Sequence, residues 1–146
     1  MTVKIENFDF CDFGCSKGGS IKFGVDVLGG RRGLGIDIDK RKVESSIKAG
    51  YEAIIGDFCN LDLPDGIKNT QWQWILADAP RGTSDETPGR MKSIYTAANL
   101  AYKFKKTHVF VHDCNRDVEN IYSGYFFNKK HFVKKVEKLC HYVVII

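Results

Sequence analysis

Short apolar runs alternate with helix-like segments along most of this chain, and that alternation constrains the fold more than any other feature of the sequence. Nearly continuous apolar runs predict strands that are covered on both faces. The segments between them predict helices that cross over from one strand to the next. We predict strands at 8–13, 33–38, 51–55, 72–79 and 109–113, and helices at 20–28, 41–49, 92–105 and 116–127.

Two further strands, at 131–136 and 139–145, flank a turn at Glu137 and Lys138 and predict a C-terminal antiparallel hairpin. Residues 60–70 predict a loop, with turn signals at Pro64 and at Asp65-Gly66. The expected fold is therefore α/β and Rossmann-like, with a mostly parallel sheet, helices on both faces and the hairpin at its end. No repeat or linker divides the chain, so we expect one domain over residues 1–146.

The composition is that of a globular protein, with 43% hydrophobic and 27% charged residues. No apolar run reaches the roughly 20 residues that a membrane span requires, and the first residues lack the apolar core of a signal peptide. We therefore expect a cytoplasmic protein without a membrane partner. The net charge of +4 is a weak signal for an anionic partner, and the lysines of the last third predict a solvated face.

The five cysteines form no CxxC pair, and no histidine lies at zinc-finger spacing from them. A structural zinc site is therefore not expected, and no metal ligands are predicted. An odd number of cysteines without a signal peptide favours reduced thiols. Cys11 and Cys140 fall in apolar runs and are predicted to lie in the core.

Ligands of an open parallel sheet bind outside the carboxyl ends of its strands, so the residues that follow each strand are the candidates. The first strand leads into a glycine-rich turn, which lets the backbone pass close to a ligand. The second ends at Asp37, whose carboxylate can accept two hydroxyl hydrogen bonds from a ribose. The third leads to Asp57, which can accept an adenine amino group, and to Phe58, which can flank the ring. The predicted cofactor-binding residues are Asp12, Gly14, Cys15, Ser16, Gly18, Gly19, Asp37, Ile38, Asp57, Phe58 and Asp78.

Together, the glycine-rich turn, Asp37 and Gly56-Asp57 resemble the motifs of class I S-adenosylmethionine (SAM)-dependent methyltransferases, over about residues 8–80. The resemblance implies SAM as the cofactor, and methyltransferases of this class also carry a terminal antiparallel strand. Two alternatives stay open. Asp37 and Asp57 can merely cap the segments that follow them. A nicotinamide dinucleotide is less favoured, because the glycines do not form GxGxxG and no second mononucleotide-binding half follows.

Three strings in the second half are more distinctive: DAPRG from Asp78, PGRM with IYTA from Pro88, and VHDCNRDVE from Val111. In this order they resemble the plant polysaccharide-biosynthesis family that includes glucuronoxylan 4-O-methyltransferases, with its DAPxG turn, PGRM loop and VHDxxR segment. The resemblance covers about residues 75–127 and implies methyl transfer to a saccharide. Arg81 replaces the usual Thr of that family and Thr83 replaces its aromatic residue, and we expect no counterpart of the plant members' amino-terminal membrane anchor. The acceptor therefore stays open.

Asp78, His112 and Asp113 are the predicted catalytic residues. Asp78 and Asp113 end neighbouring strands beside the crevice in which the cofactor is expected. A general base assists a hydroxyl acceptor, and histidine titrates in the useful range. Successive strand residues point to opposite faces, so His112 and Asp113 can reach one atom only where the strand has ended. The alternative for His112 is a hydrogen-bonded core histidine.

A polar loop at 81–90 holds the predicted acceptor-binding residues Arg81, Glu86 and Arg90. A guanidinium fork suits a carboxylate such as that of a uronic acid. The alternative is that Arg90 pairs with Glu86 four residues earlier.

The sequence therefore predicts a SAM-dependent methyltransferase, acting on a hydroxyl of a saccharide, a uronic-acid-containing glycan or a small molecule. The glycine-rich turn followed by GIDI also resembles small RNA 2′-O-methyltransferases. Lys17 and Asp78 fit the Lys-Asp-Lys-Glu set of those enzymes, but no late Lys and Glu do. The small size of the chain favours a third interpretation, a non-catalytic SAM-binding accessory subunit. The oligomeric state is not predicted.

Overall fold

A computed structural model describes residues 8–57, 63–78 and 91–146. Within these ranges, seven strands form one sheet in the order β3-β2-β1-β4-β5-β7-β6. The strands are β1 (Asp9–Phe13), β2 (Arg32–Asp37), β3 (Glu52–Ile55), β4 (Trp74–Ala77), β5 (Lys106–His112), β6 (Phe132–Val136) and β7 (Leu139–Ile145). The helices are α1 (Gly19–Lys22), which continues into a π-helical turn at Phe23–Val27, α2 (Lys40–Lys48), α3 (Asp65–Lys68), α4 (Met91–Ala101) and α5 (Asp117–His131).

The strand pairing confirms the predicted sheet. Strands β1 to β5 pair in parallel with their neighbours, and β7 runs antiparallel between β5 and β6. Helices cover both faces, as predicted. On one face, Ile21 of α1 packs so closely on Gly33 and Gly35 of β2 that a Cβ at either glycine would lie within 2.7 Å of it. On the other, Ile94 of α4 and Phe127 of α5 belong to the main core cluster.

Several elements differ from the predictions, among them β5, α3 and α5. β5 begins at Lys106, three residues early, because the whole of Lys106–His112 pairs with β7. Helix α3 lies inside the predicted loop, where buried Ile67 accepts a hydrogen bond of 3.0 Å from the indole N–H of Trp72. Helix α5 extends to His131 but contains a non-helical residue, Asn128, at φ 58° and ψ 149°.

The prediction of reduced thiols is wrong for one pair of cysteines. Cys114 and Cys140 are joined by a disulfide bond that spans 26 residues of sequence. The fold brings them together because β7 returns beside β5 and the backbone turns immediately after β5 ends. Cys11 and Cys15 are buried free thiols, so the prediction of a core position is confirmed for Cys11. Cys140 is buried too, but as half of the disulfide. Cys59 lies outside the described residues.

The structure describes no helix that is both long enough and apolar enough to cross a bilayer. That finding covers residues 8–57, 63–78 and 91–146.

Candidate active site

Four carboxylates gather at one edge of the sheet. Parallel strands β1, β2, β4 and β5 all end there, and an aspartate stands within one residue of the end of each: Asp12, Asp37, Asp78 and Asp113. Carboxyl ends of parallel strands are where ligands of open α/β sheets bind. The arrangement therefore favours a ligand that carries positive charge or several hydroxyl groups.

The glycine-rich turn after β1 is fixed by its backbone. Gly14, Ser16 and Gly18 all have positive φ angles, of 91°, 50° and 89°. The amides of Gly14 and Cys15 both donate to the carbonyl of Ile36 in β2, at 2.8 and 3.1 Å. A Cβ at Gly18 would lie 2.9 Å from Ser46 Oγ in α2, so only glycine fits there. Gly19 then begins α1. The turn is a rigid, side-chain-poor surface beside the carboxylates.

Cys15 in this turn is a core residue. It is buried, and burial raises the pKa of its thiol to about 12, with a further contribution from the Asp12 charge. Its thiol is therefore protonated at neutral pH and not a thiolate nucleophile. Any contact of Cys15 with a cofactor would use its backbone or an uncharged side chain.

Asp37 holds the turn against the end of β2. One carboxylate oxygen accepts the Ser16 amide at 3.0 Å, and the other accepts the Asp39 amide at 2.9 Å. The cap of α2 is Asp39, which accepts from the amide of Arg41. The capping interpretation of Asp37 is therefore wrong for α2, although the residue has a structural role. Each carboxylate oxygen has a further lone pair, so two ribose hydroxyls remain possible donors.

Asp12 is a buried carboxyl group whose hydrogen-bonding neighbour is Ser20 of α1. It is 1% exposed, and neither of its oxygens forms a well-aligned hydrogen bond within the described ranges. Burial raises its pKa to about 8, and the negative charges of Asp78 and Asp37 add to that effect. Asp12 is therefore mostly neutral at pH 7. A buried polar group without a well-aligned hydrogen bond suits a site that is completed by a ligand.

The other predicted cofactor residues divide into two groups. Ile38 is 70% exposed beyond β2, and Asp57 is exposed beyond β3, so both are accessible at the carboxyl edge. The Gly56 amide donates to the Asp37 carbonyl at 3.1 Å, which places the ends of β2 and β3 side by side. Phe58 lies outside the described residues. The predicted acceptor-binding residues Arg81, Glu86 and Arg90 lie outside them as well.

Asp78, His112 and Asp113 form a compact cluster. The Nδ1 atom of His112 lies 3.2 Å from Asp78 Oδ1 and 3.3 Å from Asp113 Oδ1, without hydrogen-bond alignment to either. β5 ends at His112, and Asp113 has a positive φ of 54°, which turns the backbone. The strand has therefore ended before Asp113, and the side chains of His112 and Asp113 can reach the same point. The His112 side chain is 42% exposed and so is not a core histidine.

Sequence reasoning missed Arg116 as a site residue. Its guanidinium lies 3.6 Å from Asp113 Oδ2, and its amide donates to the Asp113 carbonyl at 3.0 Å. It precedes α5 as the N-cap residue. The signal was present in the VHDxxR string, in which Arg116 is the final residue.

The same cluster could hold a divalent cation, which the sequence analysis did not predict. Among the described residues, Asp78, His112 and Asp113 each offer one ligand atom, and these atoms lie within 4.8 Å of one another. One imidazole nitrogen and two carboxylate oxygens make a mixed donor set that several divalent metals accept.

Asp37→Ala should weaken SAM binding by about 1.5–3 kcal/mol, as for a hydrogen bond to a charged group, and should also destabilise the fold. The second effect is expected because the amides of Ser16 and Asp39 lose their acceptor. Calorimetric titration and urea unfolding measure the two effects. Asp39→Ala is the matched control, since it removes a helix cap at a cost of about 1 kcal/mol and should leave affinity unchanged. If Asp37→Ala and Asp39→Ala bind SAM with the same affinity, Asp37 has only a structural role.

Comparison with known proteins shows which family the chain belongs to. The IRX15/IRX15L/GXM family model matches residues 38–142, well over half of the chain. Protein IRX15-LIKE of Arabidopsis thaliana is 46% identical over 87 residues, which are 57% of this chain and 27% of that protein. Arabinogalactan O-methyltransferase 2 and glucuronoxylan 4-O-methyltransferase 1 of the same plant are each 42% identical over 85 residues, 56% of this chain and 29% and 30% of theirs. The chain thus spans less than a third of the length of each.

Solved structures show the same fold. A TehB-like SAM-dependent methyltransferase from Corynebacterium glutamicum superposes with a TM-score of 0.59 at 12% identity, covering 95% of this chain and 80% of that one. A SAM-dependent methyltransferase from Mesorhizobium loti gives 0.56 at 14% identity, covering 74% and 47%. The fold is therefore the Rossmann-like fold of SAM-dependent methyltransferases, and the chain belongs to the IRX15/IRX15L/GXM family.

Proposed function

We propose that this protein transfers a methyl group from SAM to a hydroxyl group of a uronic-acid-containing glycan. The observation that carries the proposal is the Asp78–His112–Asp113 cluster, which lies at the same sheet edge as the glycine-rich turn. The family supports methyl transfer, and two relatives are named as O-methyltransferases of arabinogalactan and of glucuronoxylan.

The described residues fit SAM as the cofactor. The backbone of the glycine-rich turn can lie close to the cofactor, and Asp37 offers acceptors for hydroxyl groups. Asp12 offers a buried carboxyl group without a well-aligned hydrogen bond among the described residues. When bound, SAM supplies an electrophilic methyl group on a sulfonium. The clustered carboxylates suit such a cation, because opposite charges attract more strongly where water is partly excluded.

On the acceptor side, the chain has to hold a hydroxyl group in line and remove its proton. His112 is the candidate base. Asp78 and Asp113 lie on its Nδ1 side, where their charges can stabilise an imidazolium, and Nε2 is left for the acceptor. Arg81 and Arg90 remain our candidates for holding a uronate carboxylate, by bidentate pairing.

An acceptor panel tests the proposal. We expect isotopically labelled methyl groups to pass from SAM to glucuronic-acid-bearing xylan oligosaccharides and not to unsubstituted ones. The product should survive mild alkali, because a methyl ether is stable there and a methyl ester of the uronate is not. Transfer to RNA alone would replace the glycan proposal with the RNA methyltransferase alternative. Firm SAM binding without transfer to any member of the panel would favour the accessory-subunit interpretation.

A further inference from the structure

We propose that a groove between α5 and the C-terminal hairpin binds the glycan chain outside the methylated residue. We call it the hairpin groove, and the residues that define it are Ile121, Gly124, Lys129, Phe132, Lys135 and Tyr142. This inference rests on the proposed function, because it concerns the acceptor of the same reaction. The proposed occupant is an extended acidic polysaccharide.

The register of the hairpin builds the floor of the groove. Phe132 pairs with Tyr142 and Lys135 pairs with Cys140, so these four residues share the face of the β6–β7 ribbon that lines the groove. Ile121 and Gly124 of α5 form the opposite wall. A Cβ at Gly124 would meet nothing within 4 Å, which shows that the wall is open there. The volume of this open groove is about 400 Å³, within the range of ligand-binding clefts.

A disulfide bond links the lining of the groove to the segment that follows the candidate active site. Cys140 lines the groove and is disulfide-bonded to Cys114, with 5.9 Å between their Cα atoms. Cys114 directly follows Asp113, and its amide donates to the carbonyl of Lys138 in the hairpin turn. The proposed polymer has its reacting residue at the Asp78–His112–Asp113 cluster and extends from there toward the groove.

The lining suits an acidic sugar polymer. Ile121 is 63% exposed and Phe132 is 45% exposed, and apolar side chains of this kind can cover the carbon-bearing faces of pyranose rings. Lys129 and Lys135 also line the groove, and within the described part of the chain neither forms an ion pair. Residues 129–138 contain five lysines and a single acid, Glu137. The exposed apolar side chains therefore suit the rings of a sugar polymer, and the two lysines suit its negative charges.

A second copy of this chain fits the groove less well. A two-fold interface brings the same patch of both subunits together, so the lysine-rich hairpins would face each other. Like charges across an interface oppose association. An acidic polysaccharide brings the opposite charge instead.

Three variants test the hairpin groove. Lys129→Ala with Lys135→Ala removes the cations, and Gly124→Leu places a side chain in the open wall. The control is Lys105→Ala with Lys106→Ala. It removes the same amount of charge at the start of β5, the end of the strand away from His112. The probes are a xylan oligosaccharide that carries one internal glucuronic acid, free glucuronic acid, and S-adenosylhomocysteine. Binding to the full chain is measured by titration, and the KM for the oligosaccharide is measured by methyl transfer.

We expect the cation and glycine variants to weaken oligosaccharide binding, and to raise its KM, by at least about tenfold. Free glucuronic acid and S-adenosylhomocysteine should bind as in the wild type, and the control should match the wild type with every probe. Normal oligosaccharide affinity in both groove variants would overturn the inference. Sedimentation could also overturn it. If the wild type is a dimer and Gly124→Leu is a monomer, the groove joins two copies of the chain. Groove-dependent binding without methyl transfer would instead refute the proposed function alone.

Discussion

Asp113→Asn should lower the rate of methyl transfer by about 100-fold or more, the range in which general-base catalysis contributes. The substitution keeps the shape of the side chain and removes its charge. Asp113 lies 3.3 Å from His112 Nδ1 and 3.6 Å from the Arg116 guanidinium, so its charge faces both groups. Without this carboxylate, the imidazolium that forms during proton transfer loses one of its two counterions, the other being Asp78. The effect should appear in kcat, because that charge develops only during the reaction.

SAM affinity in the same variant should stay within about threefold of the wild type, under 1 kcal/mol. Asp65→Asn is the matched control, since Asp65 is an exposed residue of α3 outside the cluster. Asp78→Asn should behave as Asp113→Asn does, because Asp78 lies at 3.2 Å from the same nitrogen. Full turnover in both cluster variants would remove the two carboxylates from the reaction.

Asp12→Asn should raise the free energy of unfolding of the ligand-free protein more at pH 7 than at pH 4.5. The difference between the two pH values should be at most about 3–4 kcal/mol, since one pKa unit corresponds to about 1.4 kcal/mol. The pKa of Asp12 is raised from 3.8 to about 8 by burial and by the nearby charges of Asp78 and Asp37. Between these two pH values the unfolded chain releases the proton and the folded protein keeps it. The stability of the wild type is therefore lost progressively as pH rises from about 4 to 8, and asparagine removes that dependence.

Urea unfolding at several pH values from 4.5 to 8.5 measures this difference. The wild-type curve should fall relative to the Asp12→Asn curve as pH rises, and the two should run parallel above about pH 8.5, where the folded protein also releases the proton. Asp65→Asn again serves as the control and should follow the wild type. Parallel curves over the whole range would show that Asp12 ionises normally in the folded protein.

The sheet could be predicted from the sequence because its strands carry strong local signals. β7 was predicted with its observed bounds, and β1 to within one residue, since both are apolar runs with clear ends. The start of β5 could not be predicted from local signals. Lys106, Thr107 and His108 are not an apolar run, and they are extended because β7 pairs with them.

The features of the site that could not be predicted depend on contacts distant in sequence. Asp113 and His112 were predicted as site residues, but their approach to each other requires a positive φ at Asp113. Aspartate adopts such a φ more often than most residues, yet no local pattern assigns it to this position. The disulfide joins cysteines 26 residues apart, and its pairing follows from where β7 lies. The burial of Asp12 without a well-aligned hydrogen bond among the described residues is likewise a property of packing. The aspartates of the site could be predicted, because the carboxyl ends of parallel strands lie at the same edge of the sheet.

Calorimetric titration of the protein with SAM and with S-adenosylhomocysteine tests the central claim most directly, namely that the carboxyl edge of this sheet binds SAM. Both compounds should bind with micromolar dissociation constants, near −8 kcal/mol, and NAD should give no measurable heat. Saturable NAD binding, with no response to either SAM compound, would contradict the account.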